Sequence, residues 1–184
     1  MPFRTQIRVR FGDVDHAGIV YYPQFFIYFH EAFEDFFDEN ALRYDQLLDR
    51  RHLGFPTVHI EADYKLPLRY GDALDIELTV PKVGDRSAVF RYVGFRHADG
   101  LRACEAAITC ACVDLRSFQA VAVPDDLRAL FARFASSATR MRPRRRGPRR
   151  RSCSCVTAAM CSTRATAAIC STRTTAAICS TPRS

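Results

Sequence analysis

From residue 5 to residue 11 the chain alternates, with Ile7, Val9 and Phe11 on one side and Gln6, Arg8 and Arg10 on the other, which predicts a half-buried strand. A loop rich in Gly, Asp and His runs from Gly12 to Tyr22. Pro23 then suits the first position of a helix reaching about Asn40. Phe25, Phe26, Phe29, Phe33, Phe36 and Phe37 fall at spacings of three and four along it, a wide apolar stripe that something large must wrap. A shorter helix is expected around Tyr44 to Arg51.

After Pro56 the period changes to two. Val58, Ile60, Ala62, Tyr64 and Leu66 alternate with polar residues and are expected to face inward, and so do Leu74, Ile76, Leu78 and Val80. Ser87 to Arg96 and Leu101 to Leu115 read as two more strands joined by the turn His97-Ala98-Asp99-Gly100. Pro124-Asp125-Asp126 opens a last helix with Leu127, Leu130, Phe131 and Phe134 facing inward and two acids at its dipole-favoured end. Strand, long helix, then four consecutive strands predicts an α+β fold: one antiparallel sheet wrapped around an aromatic helix.

The length of 184 residues suits one domain with a tail. No apolar run approaches the roughly 18 residues of a membrane span, and the arginine-bearing start is not expected to be a secretory signal. The net charge of +7 invites a nucleic-acid reading, but its distribution withdraws it. Residues 1–138 carry 16 Lys and Arg against all 20 Asp and Glu, whereas residues 139–184 carry 11 Arg and no acid. The expected division is a mildly acidic domain over 1–138 and a basic, repetitive, disordered tail over 139–184, where a nine-residue repeat begins at Ala158. Without aromatic interleaving the tail specifies no polyanion, so nucleic acid is not expected as a partner. Cys104, Cys110 and Cys112 share strand parity with Ala106 and Ile108, which predicts small, reduced core residues in a cytoplasmic protein rather than a disulfide framework or a nucleophile.

The stretch with the most chemistry is Phe11-Gly12-Asp13-Val14-Asp15-His16-Ala17-Gly18-Ile19-Val20-Tyr21-Tyr22-Pro23. It sets two carboxylates and a histidine between a strand end and a helix start, whose unpaired N–H groups and partial positive charge suit a developing oxyanion. Gly18 permits a tight turn. The residues alone leave several readings open: acyl hydrolysis, a phosphatase using Asp-x-Asp after a strand, a metal site from Asp13, Asp15 and His16, or local hydrogen bonding with no chemistry. The phosphatase needs alternating βα units, which the run of strands does not supply. Adjacent residues rarely converge on one ion without distant ligands, so no metal site is expected. Asp13 is expected to order the loop.

The same stretch closely resembles the signature of hotdog-fold acyl-CoA thioesterases of the 4-hydroxybenzoyl-CoA thioesterase type. Asp63-Tyr64-Lys65-Leu66-Pro67 followed by Tyr70-Gly71-Asp72 is similar to that family's second-strand motif, Val123-Pro124 also fits, and the resemblance covers residues 5–135. It implies Asp15 as the catalytic carboxylate and the backbone N–H of Tyr22 as the donor polarising the thioester carbonyl. It places His16, Gly18 and Tyr21 beside the substrate, and Arg86 and Ser87 on its nucleotide. Related members carry histidine where this chain has Tyr22, and Tyr-Tyr-Pro tilts the expected substrate towards aromatic acyl groups. No cofactor is implied, since coenzyme A is part of the substrate. An open sheet face and edge predict a homodimer or homotetramer, with sites between subunits by resemblance. The alternative is a non-catalytic acyl-CoA or acyl-carrier binding module on the same fold.

Overall fold

In the computed structural model, which describes residues 1–135, the Phe-rich helix follows Pro23 directly, because that residue already holds helical dihedrals (φ −68°, ψ −23°). The elements in chain order are β1 (Phe3–Arg8), α1 (Gln24–Glu39), α2 (Tyr44–Asp49), β2 (Leu53–Gly54), β3 (Thr57–Tyr64), β4 (Ala73–Val83), β5 (Ser87–Arg96), β6 (Leu101–Ala111), β7 (Val113–Asp114), β8 (Gln119–Ala120) and α3 (Asp125–Arg133). Five strands form one antiparallel sheet in the order β1-β4-β5-β6-β3, and β2, β7 and β8 form a small second sheet. The large sheet wraps α1, the hotdog arrangement that the sequence implies. The expected tail over 139–184 lies outside the described residues.

The core is aromatic because α1 and the sheet supply rings on facing surfaces. Phe25, Phe29, Phe33, Phe36 and Phe37 are buried, while Phe26 is half-buried. Phe33 meets Phe90 of β5 with ring centroids 5.0 Å apart, and Phe29 meets Tyr92 at 4.9 Å. Such pairs contribute about 1 kcal/mol each beyond the area they bury. Leu74, Ile76, Leu78 and Val80 face the same core from β4, and Leu127, Leu130 and Phe131 close it from α3. Cys104, Cys110 and Cys112 are buried free thiols, and burial pushes the Cys104 thiol up to about 12, which removes it as a nucleophile at neutral pH. No helix among the described residues is long and apolar enough to cross a membrane.

Three expectations change. The alternation of β1 does not reach Phe11: the Asp13 carboxylate accepts the Arg10 N–H (2.7 Å), the chain turns, and Phe11 is left 79% exposed. The strand expected from Leu101 to Leu115 breaks at Cys112, whose N–H donates to the Arg86 carbonyl outside the ladder. The apolar side of β3 is covered only towards its end: Val58 is 62% and Ile60 41% exposed, whereas Ala62 packs against the core. β3 is an edge strand, and no element among the described residues lies beyond it.

On the outer face of β6, Glu105 is only 8% exposed and is ringed by Lys65 (2.9 Å), Arg102 (3.2 Å) and Arg91 (3.6 Å). The Lys65 hydrogen bond, with the other cations, holds its carboxyl below the usual range despite burial. A lowered folded-state pKa adds stability above the unfolded carboxyl pKa of about 4.3, and that stability is lost as pH falls through the lowered value. Glu105→Gln is expected to cost about 2 kcal/mol at pH 7, a modest figure because Lys65 and Arg102 are solvated. Urea titrations at pH 7 and pH 3 check this, since the gap between the two proteins should close in acid.

Candidate active site

Local hydrogen bonds shape the loop between β1 and α1. Asp13 uses its carboxylate twice, accepting the Arg10 N–H and the Tyr28 hydroxyl (both 2.7 Å), and so fastens the loop to the buried side of α1. That is the ordering role its position suggests. Burial, then the Asp13 hydrogen bond, drives the Tyr28 hydroxyl far above its ordinary pKa, so it stays a donor. Beyond Asp13 the chain folds back in a miniature hairpin. Val14 bridges Val20, the Asp15 N–H donates to the Ile19 carbonyl (2.9 Å), and the Gly18 N–H donates to the Asp15 carbonyl (2.9 Å). Gly18 closes the turn at φ +73°, a left-handed conformation that glycine adopts without strain.

Asp15 sits at the start of this turn. Its Oδ1 accepts the Ala17 N–H (2.8 Å), an Asx turn that fixes the carboxylate, while Oδ2 has no partner among the described residues. In a single chain Asp15, His16 and Tyr21 are exposed. The carboxylate is therefore preorganised but still open to water.

The helix start lies just after the hairpin. The Tyr21 N–H donates to the Asp13 carbonyl (2.9 Å) and the Gln24 N–H to the Tyr21 carbonyl (2.8 Å), and Pro23 has no N–H. The Tyr22 N–H between them meets no acceptor among the described residues, so it is available to a ligand at the positive end of α1. The Tyr64 hydroxyl donates to the Tyr22 carbonyl (3.3 Å), which ties the end of β3 to this peptide. Sequence reasoning assigned neither Tyr28 nor Tyr64 a part here, because each acts through a single hydroxyl from a distant element.

An apolar groove of about 430 Å³ runs beside α1, with Phe26, His30 and Phe33 on one wall and Phe55, Ile60 and Ile108 on the other. Phe26, His30 and Phe33 follow at helical spacing along α1 and line the groove, whereas Tyr22 precedes the helix and borders a separate recess with Val20, Phe25, Tyr64 and Leu66. Phe26, the groove residue nearest in sequence, follows four positions after Tyr22. His30 borders it with its ring stacked on Phe33 and its Nε2 held by Glu34 (3.1 Å). No single stretch of sequence encodes this space, since its walls come from α1, β3, β6 and the β7–β8 turn.

Arg86 and Ser87 lie elsewhere. They end the loop joining β4 to β5, where Arg86 Nε approaches Asp85 (3.5 Å) and the Gly84 N–H donates to the Ser87 carbonyl (2.7 Å). Arg8 of β1 pairs with Ala73 at the opposite end of β4, and the Asp15 hairpin is attached there. An 11-residue strand spans about 33 Å, so one chain does not bring Arg86 and Ser87 to Asp15. His59 and Glu61 contact each other on β3 (3.3 Å) and are solvated.

Residues 9–131 match the thioesterase-like superfamily. Over 95 residues the chain is 36% identical to a 1,4-dihydroxy-2-naphthoyl-CoA hydrolase of Prochlorococcus marinus, a match spanning 46% of this chain and 59% of that protein, less than two thirds of its length. It is 27% identical over 129 residues to the acyl-CoA thioesterase YbgC of Haemophilus influenzae, covering 70% of this chain and 93% of that one. A thioesterase superfamily structure from Jannaschia sp. CCS1 superposes with a TM-score of 0.69 at 28% identity, covering 74% of this chain and 94% of that chain.

Proposed function

The chain belongs to the thioesterase-like superfamily, and on that premise we propose that it hydrolyses acyl-CoA thioesters with Asp15 as the catalytic carboxylate and the Tyr22 N–H as the carbonyl donor. The observation that carries this reading is the unpaired Tyr22 N–H just before α1, which follows a hairpin that fixes Asp15 and precedes the helix that walls the apolar groove. A carbonyl oxygen placed at that N–H gains charge as the tetrahedral centre forms, and one such donor contributes on the order of 3 kcal/mol in known hydrolases. The leaving thiolate has a conjugate acid near pKa 8.5, so it departs without a general acid or a metal. Asp15 attacks the carbonyl carbon to give a mixed anhydride that water then cleaves, or it takes a proton from the attacking water. Gly18 sets the turn, and His16 and Tyr21 stand at its rim.

A second copy completes the site in this reading. The β3 edge has no strand partner among the described residues and exposes Val58 and Ile60, and pairing it with the same edge of another chain about a two-fold axis sets the start of one β3 beside the end of the other. The start of β3 shares its sheet end with Arg86 and Ser87, because Thr57 pairs with Cys110 and Ser87 with Ala111. Such a dimer turns that basic end towards the Asp15 hairpin of its mate, where it meets the phosphates of coenzyme A. It also covers Asp15 from water, which strengthens every electrostatic contact in the site. Two such dimers make the tetramer that the resemblance suggests.

The groove is lined largely by rings, and one relative is named for a bicyclic aromatic acyl-CoA, which supports an aromatic acyl group here. Comparing kcat/KM for naphthoyl-, benzoyl-, hexanoyl- and acetyl-CoA tests this. Aromatic substrates are expected to lead by about tenfold or more. A lead for the aliphatic chains would overturn the aromatic assignment while leaving thioester hydrolysis in place.

A further inference from the structure

The turn joining β7 to β8 holds an aromatic residue where its own geometry favours glycine. Phe118 has φ +54° and is 76% exposed. For a side chain with a Cβ that left-handed conformation costs about 1 kcal/mol, and an exposed ring adds no packing to offset it. The turn does not need the ring. The Asp114 carboxylate accepts the N–H groups of Arg116 (2.7 Å) and Ser117 (3.1 Å), and the Asp114 carbonyl accepts the Phe118 N–H (2.8 Å). Those N–H groups hold the Asp114 carboxyl below the usual range, so the turn stays fastened at neutral pH. Backbone hydrogen bonds thus set the position of Phe118, and its ring borders the apolar groove beside Leu115.

We propose that Phe118 is a specificity-determining residue whose ring closes over the acyl group of the substrate in this groove, favouring large apolar acyl groups over small ones. The inference rests on the thioesterase reading above. The occupant follows from the groove's chemistry: Phe33, Phe55 and Tyr92 offer rings, and Thr57 Oγ1 and Cys110 Sγ lie within 3.8 Å of each other rather than awaiting a polar ligand. A volume of about 430 Å³ admits a ring system or a medium chain, whereas an acetyl group fills little of it.

Phe118→Gly tests the proposal, because glycine suits the turn and relieves its strain. The variant is expected to melt at the same temperature as the parent or higher, and to keep its oligomeric state. Its kcat/KM for naphthoyl-CoA is expected to fall about tenfold, with a change under about twofold for acetyl-CoA. The dissociation constant of the non-hydrolysable thioether S-(naphthylmethyl)-CoA should rise by a similar factor, and Phe118→Leu should recover part of both losses. Unchanged discrimination between the two acyl groups, an equal loss for both, or a shift in oligomeric state would overturn the assignment. If the parent binds the thioether but cleaves neither ester, hydrolysis fails as a reading and the thioether affinities still decide the role of Phe118.

Discussion

Asp15→Asn is expected to fold as the parent chain does and to lose at least about a thousandfold in kcat. The two halves of that expectation come from the two oxygens of one carboxylate. Oδ1 accepts the Ala17 N–H and belongs to the turn, and the amide oxygen of asparagine takes the same hydrogen bond. The backbone bonds from Asp15 to Ile19 and from Gly18 to Asp15 do not involve the side chain. Melting temperature and circular dichroism should therefore match the parent. Asparagine offers no negative oxygen to attack a carbonyl or to draw a proton from water, so thiol release should collapse while acyl-CoA binding persists. Release within tenfold of the parent would remove Asp15 from the chemistry.

Val58→Lys is expected to give a folded single copy with at least about a hundredfold less activity. Val58 packs against little in its own chain, so a lysine there is tolerated by the isolated fold. In the proposed dimer the start of one β3 lies beside the end of the other, so the substitution buries a lone ammonium group at each end of the joint and opposes it. In the proposed dimer the site then loses both its cover over Asp15 and the partner's Arg86 and Ser87. Sedimentation velocity at micromolar concentration, read beside thiol release, checks the two consequences together. A monomer with full activity would show that one chain carries a complete site.

The elements that were legible in the sequence are those whose pattern is satisfied within the chain. The three- and four-residue spacing of phenylalanines in α1 and the strict alternation in β4 both find their partners in the same core. The alternation of β3 is just as clear, yet Val58 and Ile60 on its apolar side are exposed, because periodicity marks a face to be covered without saying what covers it. Phe11 misled for a local reason: the Asp13 carboxylate captures the Arg10 N–H and ends the strand before the alternation does. The loop-ordering role of Asp13 was also readable. The structure gives Asp13 two hydrogen-bond donors and leaves Asp15 with one free oxygen. The groove and Phe118 were not readable, since a cavity is a property of packing among distant segments and a positive φ at phenylalanine has no signature in composition.

The residues of this loop divide one task by position. In the proposed reading a turn holds the carboxylate, the N–H just before the helix meets the carbonyl, and the groove beside that helix takes the acyl group. The most direct test is a count of free coenzyme A thiol produced per subunit when the unaltered chain meets a series of acyl-CoA thioesters. The account predicts many turnovers on at least one aromatic member, with acid and thiol formed in equal amounts. Acyl-CoA bound by the chain but recovered intact across the whole series would contradict it and leave a binding module in its place.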